Sequence, residues 1–411
     1  MSIQPIFDSL ETQLIERVTA ARDAMIAFCA HLLQTPSVNG VHDEIAVAEA
    51  LVAEARSLGL QARLVAEDPR RPNVVISTHE TGDTGLLLLG HLDTVPPGDE
   101  AAWTYPPYSG TVADGRIHGR GAIDTKGGMT AALYALAALA QTGGALHAGR
   151  AQLICVPNEE SGATGELGIN HLRREGLLAA KGAIYAYSGH EIALGHRGVL
   201  RYRLTCHGES EHTGSEAWQN GTRGVNAVTG MARLLLALER IELPHSKARH
   251  FEAFKTLITP GTVISGGTSV NVVPATCEAL VDARLTPEYD RAGFEALLDR
   301  AIAEVASQAD AVVYDYELMN YVPAAISDES APLFGITEDV VQALTGQRPP
   351  RVVAGPANEG YLLIGQGIPT ICGLGPSGRY AHAPNEYVDI DGLVEAASIF
   401  ALVARRLSAA E

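Results

Sequence analysis

Nothing in this chain approaches the roughly 20 consecutive apolar residues of a membrane-spanning helix, although 46% of its 411 residues are hydrophobic. The opening stretch MSIQPIFDSLETQ lacks a basic segment followed by an apolar core, so no secretory leader is expected. Basic residues are in deficit: 30 Lys and Arg stand against 48 Asp and Glu, a net charge of −18 at pH 7. That sign argues against nucleic acid and against an anionic membrane as partners. The five cysteines (Cys29, Cys155, Cys206, Cys277 and Cys372) are scattered and form no CxxC pair. A structural zinc knuckle is therefore not expected, and reduced, buried thiols in the cytoplasm are. There is no low-complexity run, no repeat at a fixed period, and neither Walker spacing nor GxGxxG to cradle phosphate.

The length implies two domains. Residues 6–33 carry helical periodicity and read as one long helix, followed by a helix over 43–58 with Gly59 just past its end. Strands are expected at 61–66, 73–78, 86–89, 152–156 and 183–187. Helices are expected from Lys126 to about Ala140 and over 165–175. The Pro-, Gly- and Tyr-rich stretch 94–120 reads as ordered loop. This alternation implies an α/β catalytic domain with a central, mostly parallel sheet, whose site lies beyond the carboxyl ends of the strands. From Val199 the pattern changes to strands at 199–206, 262–265, 277–285 and 311–318 with helices at 224–238 and 291–306, a small α+β unit. The α/β pattern then returns with helices at 331–344, 358–364 and 390–407 and a strand at 369–373. The expected division is residues 1–198 with 319–411, and an inserted unit at 199–318.

The apolar run Leu86-Leu87-Leu88-Leu89-Gly90 delivers His91 and Asp93 to one sheet edge. With Asp124, the pair Glu159-Glu160 and His382, they have the composition of a metal site. Each member has an ordinary alternative. An aspartate before a helix caps it, paired glutamates are commonly solvated, and a lone loop histidine is seldom a ligand. At the end of a buried strand, however, one glutamate can bind metal while its neighbour stays free as a general base. The case rests on the set.

The ordered series HLDTVP, GRGAIDTKGG, NEESGATG, GHRG, ESEHTG, NVVPATCEALVDARLTP and YAHAPNEYV resembles that of the co-catalytic metallopeptidase and amidohydrolase family, which includes acetylornithine deacetylase, succinyl-diaminopimelate desuccinylase, aminoacylase and glutamate carboxypeptidase. The resemblance runs from about Phe28 to the end. It implies a zinc-peptidase-like catalytic domain plus an inserted, ferredoxin-like lid and dimerisation domain. It also implies one or two divalent metals per subunit (zinc, manganese or cobalt) and a homodimer acting on a small substrate that bears a carboxylate. Carried over residue by residue, His91, Asp124, Glu160 and His382 would bind metal. Glu159, Asp93 and His212 would be catalytic: Glu159 as general base toward water activated by the metal, Asp93 behind His91, and His212 polarising the substrate carbonyl from across a dimer. Asn271, Arg284 and Asn358 would meet the substrate.

Three departures stand out. The acidic ligand expected before GHRG falls on Ala186, which leaves Tyr187, Ser188 or His190 as replacements, or a single metal. Gly355-Pro356-Ala357-Asn358-Glu359-Gly360 stands where the family carries Gly-Gly-Thr-Asp-Ala, and Asn158 where it carries Asp. The expected activity is metal-dependent hydrolysis of an amide, N-acyl or peptide-like C–N bond. A second reading is hydrolytic deamination of an electron-poor aromatic amine such as 5-nitroanthranilate. A third, non-catalytic ligand binding, is disfavoured because Glu159, which only catalysis needs, is present.

Overall fold

The computed structural model describes residues 7–307 and 311–410. The expected helix start at Ile6 and most of the opening stretch read for a leader lie outside them. The chain forms two compact units. One runs to His196 and resumes over Ile326–Ala354 and from Asn358 onward; the other comprises Arg197–Ala325 with Gly355–Ala357. No helix among the described residues is long and apolar enough to cross a membrane.

In the first unit the expected long helix is two, α1 (Ser9–Ala20) and α2 (Arg22–Leu33), because Ala21 leaves the helical region at φ −84°, ψ 3°. Asp8 starts α1 with a capping box: its carboxylate accepts from the Glu11 amide at 2.8 Å, and Glu11 accepts from the Asp8 amide at 3.1 Å. Helix α3 (Ile45–Ser57) leads into strands β1 (Gln61–Val65), β2 (Asn73–Ser77) and β3 (Thr84–His91). The stretch read as loop holds a short hairpin, β4 (Thr111–Ala113) and β5 (Arg116–His118). Helix α4 (Gly127–Gln141) is apolar on every side and buried along nearly its whole length, as a helix enclosed by sheet and helices must be. Then follow β6 (Arg150–Val156), α5 (Ile169–Arg174), β7 (Gly182–Ala186) and β8 (Ile192–His196).

The second unit has β9 (Gly198–His207), a one-turn helix α6 (Glu216–Gln219), α7 (Ala227–Glu239), β10 (Leu257–Gly266), β11 (Thr276–Leu285), α8 (Arg291–Ala306) and β12 (Val313–Val322). Its sheet runs β10-β11-β9-β12 with every pair antiparallel. That order is the split β-α-β of the ferredoxin-like fold. Leu234 and Leu238 of α7, and Phe294 and Leu298 of α8, close its core against Tyr202, Leu204 and Val281.

Beyond the second unit come β13 (Ala325–Ile326), α9 (Pro332–Thr345), β14 (Arg351–Ala354), α10 (Gly360–Ile364), β15 (Thr370–Leu374), β16 (Gly378–Arg379), β17 (Tyr387–Asp389) and α11 (Ile390–Ala409). The central sheet of the first unit runs β1-β2-β6-β3-β7-β15. β6, β3, β7 and β15 are parallel, while β1 and β2 are antiparallel additions. Both faces of β3 are covered, which is why its Leu86–Leu89 run is unbroken rather than alternating. Leu86 and Leu88 face α4 and α11, and Leu87 and Leu89 face α5. Each such leucine contributes about 1.5–3 kcal/mol of burial.

Candidate metal centre

His91 ends β3 at the carboxyl edge of the parallel strands, and 2% of it is exposed. Its Nδ1 donates to the Asp93 main-chain oxygen at 2.9 Å, which fixes the ring and turns Nε2 toward Asp124 Oδ1, 2.8 Å away. The other Asp124 oxygen, Oδ2, lies 3.1 Å from His382 Nε2, which also donates to Glu160 Oε1 at 3.1 Å. Ligand atoms of His91, Asp124 and Glu160 all fall within 4.8 Å of one another, the one such cluster found among the described residues. Sequence positions 91, 124, 160 and 382 are thus gathered in one place.

The Asp93 carboxylate does something the sequence did not suggest. The ring it was expected to orient is held by its carbonyl. The carboxylate accepts the backbone N–H of Glu159 and of Glu160, both at 3.0 Å, and the Asn39 amide at 2.5 Å. It therefore positions the turn that carries both glutamates. Asn158 opens that turn at φ 64°, a left-handed conformation asparagine tolerates, and its side-chain oxygen accepts from Asn39 at 3.0 Å.

A second carboxylate, Glu386, holds the Asp124 loop. One oxygen accepts from Arg120 at 2.5 Å and from the Gly121 amide at 3.0 Å. The other accepts from the Ile123 and Asp124 amides at 3.0 and 3.1 Å. Arg120 and Glu386 are both buried, and Gly121 takes φ 88°, which leaves its amide free to point inward.

Electrostatics show what this cluster is built to hold. Burial alone would strip His91 of its proton. Hydrogen bonding to Asp124 and the charges of Asp124, Glu159 and Asp93 instead raise its pKa well above the usual range. For Asp124, burial pushes upward, and the two histidines outweigh it and depress the carboxyl. Hydrogen bonds to Asp124 and Glu160, against burial, bring His382 to about 10. The carboxylates thus demand positive charge between them, and imidazole and carboxylate are the donors a divalent metal accepts. Glu159, buried first of all and then beset by Glu160, Glu359 and Asp124, is raised well above an ordinary carboxyl despite His91.

The pattern of peptidase family M20/M25/M40 matches residues 87–406. The chain belongs to that family. Succinyl-diaminopimelate desuccinylase of Methylobacterium nodulans is 31% identical over 347 residues, 82% of this chain and 85% of its own. The enzyme of the same name from Methylorubrum extorquens strain PA1 is 28% identical over 354 residues, 83% and 88% of the two chains. Two solved structures share the fold. The M20 metallo-carboxypeptidase of Sulfolobus solfataricus has a TM-score of 0.76 at 19% identity, over 94% of this chain and 99% of its own. A dinuclear metal-binding M20 peptidase of Bacillus subtilis has 0.69 at 16%, over 96% and 100%. This M20 chain is accordingly a hydrolase acting on C–N bonds and dependent on a divalent metal.

Within the M20 chain's second unit, residues 211–213 meet 271–273 in a short antiparallel contact: His212 bridges Val272, and the Thr213 amide donates to the Asn271 carbonyl at 3.0 Å. Both His212 and Asn271 are exposed. Arg284 on β11 is clasped by Asp282, Nε to Oδ1 at 2.7 Å and Nη2 to Oδ2 at 3.3 Å. In the first unit Asn358 commits its amide to the backbone, donating to the Cys372 carbonyl at 2.6 Å and accepting from the Gly360 amide at 2.9 Å.

The Ala186 alignment needs correcting. Leu89 pairs with Tyr185, so the register sets Tyr187, not Ala186, beside His91. Ala186 points to the opposite face, against Gly128. Burial, and then the charge of Asp124, raise the Tyr187 phenol above its ordinary range. His190 is taken up by Glu395, 2.7 Å away. Sequence reasoning also missed Glu359, a fully buried carboxyl neither of whose oxygens has a hydrogen-bond partner among the described residues. Burial, and then the charge of Asp93, push it to about 8, with His91 opposing.

Proposed function

We propose that the chain hydrolyses an N-acyl or peptide-like amide of a small, carboxylate-bearing amino acid, with Glu159 as general base. The observation that carries this reading is Glu159 itself. It adjoins the donor set without belonging to it, and its surroundings favour the protonated form. A base near a metal works best when its proton affinity is raised toward the working pH.

His91, Asp124, Glu160 and His382 would hold a divalent metal, which would supply a Lewis acid toward the scissile carbonyl and toward water. Glu159 takes the proton from the attacking water and returns it to the leaving nitrogen. Asp93, gripping both glutamate amides, keeps the Glu159 carboxylate pointed at the reacting atoms while Glu160 serves as ligand. The names of the curated relatives support a succinylated or otherwise acylated amino acid. His212 as carbonyl polariser acting within a homodimer, and Asn271, Arg284 and Asn358 as substrate contacts, are proposals that rest on the family resemblance. Mixing His212→Ala with Glu159→Gln protein tests the first: activity regained on subunit exchange supports it, and none in proven heterodimers sinks it.

The test of the whole reading is a panel of N-succinyl and N-acetyl amino acids, dipeptides and electron-poor anthranilates, assayed with zinc, manganese or cobalt. Release of a primary amine from an acyl amino acid is expected. Glu159→Gln should remove about 10²–10⁴-fold of the rate with metal content unchanged. Ammonia release from the aromatic amine alone would replace amide hydrolysis with deamination.

A further inference from the structure

We infer that this centre holds one divalent metal per chain, and that Tyr187 stands where a second would need a carboxylate. The inference builds on the proposed hydrolase reading, because it concerns the same donors.

Two ions that share one bridging carboxylate, each with about three protein ligands, need five donor groups and sit about 3.5–4 Å apart. The cluster offers four: His91, Asp124, Glu160 and His382. They divide unequally about Asp124: Glu160 and His382 stand with its Oδ2, which makes three donors, and His91 stands alone with Oδ1. Ligand atoms of His91, Asp124 and Glu160 lie within 4.8 Å of one another, and His382 Nε2 is 3.1 Å from both Asp124 and Glu160. Three donors can make one site, whereas His91 and Asp124 alone do not make a second.

A parallel neighbour of the His91 strand is β7, and neither β7 nor Tyr187 just beyond it brings a carboxylate. Ala186 faces away, and His190 is held by Glu395. Tyr187, in register with His91, brings a phenol, neutral where a carboxylate would be charged. A neutral phenol supplies no charge to balance a second dication. The main chain here is tied to β15, where the Tyr187 amide donates to the Leu374 carbonyl at 3.1 Å.

The experiment is metal content by elemental analysis and calorimetric titration with zinc and with cobalt, on the full chain after chelation and desalting. One equivalent is expected. His382→Ala should weaken that single equivalent at least tenfold, because it removes one of the three donors gathered at Asp124 Oδ2. Tyr187→Glu should bind two, while Tyr187→Phe stays at one. Circular dichroism and melting confirm that each variant is folded, and the wild-type stoichiometry decides the matter if one is not. Two equivalents of similar affinity in the wild type would overturn the inference and leave amide hydrolysis standing. No bound metal at all would overturn both.

Discussion

At the scale of single residues, the chain braces its candidate ligands with carboxylates outside the donor set. Glu386 is the clearest of these. It satisfies three backbone amides of the Asp124 loop while neutralising buried Arg120. Glu386→Gln keeps the shape and removes the charge, so metal affinity should fall about 10–100-fold, read by competition with a chelating dye. Glu386→Ala strands a buried guanidinium and should cost about 3–5 kcal/mol in chemical denaturation. Glu359 makes a prediction of opposite sign. Its folded pKa of about 8 lies above the ordinary 4.5, so between those values the unfolded chain ionises while the folded one stays protonated. Wild-type stability therefore falls as pH rises from 4.5 to 8. Glu359→Gln should flatten that slope, and parallel melting curves for the two proteins across this range would refute it. Neither residue could be singled out from the sequence. A glutamate after Pro-Asn, or after Ala-Asn, reads as solvated loop until tertiary contacts show that it is buried. The four ligands were legible because His-x-Asp after an apolar run and a glutamate pair at a strand end are uncommon. The expected acidic position falls on Ala186, one residue early, because register, which alternation leaves undetermined at a strand's end, is fixed by pairing with β3.

At the scale of elements, the close seat of α4 on the sheet depends on glycine. A Cβ at Gly128 would lie 1.8 Å from the Ala186 carbonyl oxygen, and one at Gly127 would lie 2.4 Å from that of Ala122. Gly128→Ala must push α4 off β7. It should destabilise the protein by on the order of 3 kcal/mol, and it should also weaken metal binding, since α4 begins directly behind the Asp124 turn. Unchanged stability would mean that the helix has room the structure does not show. Regular elements were legible wherever period and end signals agreed, as in β3, α4, α8 and α11. The β4–β5 hairpin was not, because strands of three residues each carry too few alternations to rise above their Pro- and Gly-rich setting. The break between α1 and α2 was hidden because Ala21 is itself a good helix former.

At the scale of the whole molecule, the centre couples metal to stability. Without a cation, Asp124, Glu159 and Glu160 crowd one another around two histidines. A metal at 100 times its dissociation constant should add about 2.7 kcal/mol. A chelator should accordingly lower the melting temperature, and restoring zinc or manganese should recover it. No shift in either direction would deny these residues a metal-binding role. The coarse plan of a parallel-sheet unit interrupted by an antiparallel one was visible from the change in strand pattern near Val199. The pairing order of both sheets was not, since strand order is set by contacts between distant segments that single-strand patterns do not encode.

That interruption has a consequence in time. Glu160 and the histidine it bonds, His382, are 222 residues apart, with the entire second unit between them. At about 5–20 residues per second of synthesis, the three upstream ligands leave the ribosome some 10–40 seconds before the fourth. For that interval the nascent chain displays clustered carboxylates with no complete cage. The four-donor site is therefore complete only once translation is nearly finished, and until then the chain offers any ion an incomplete one.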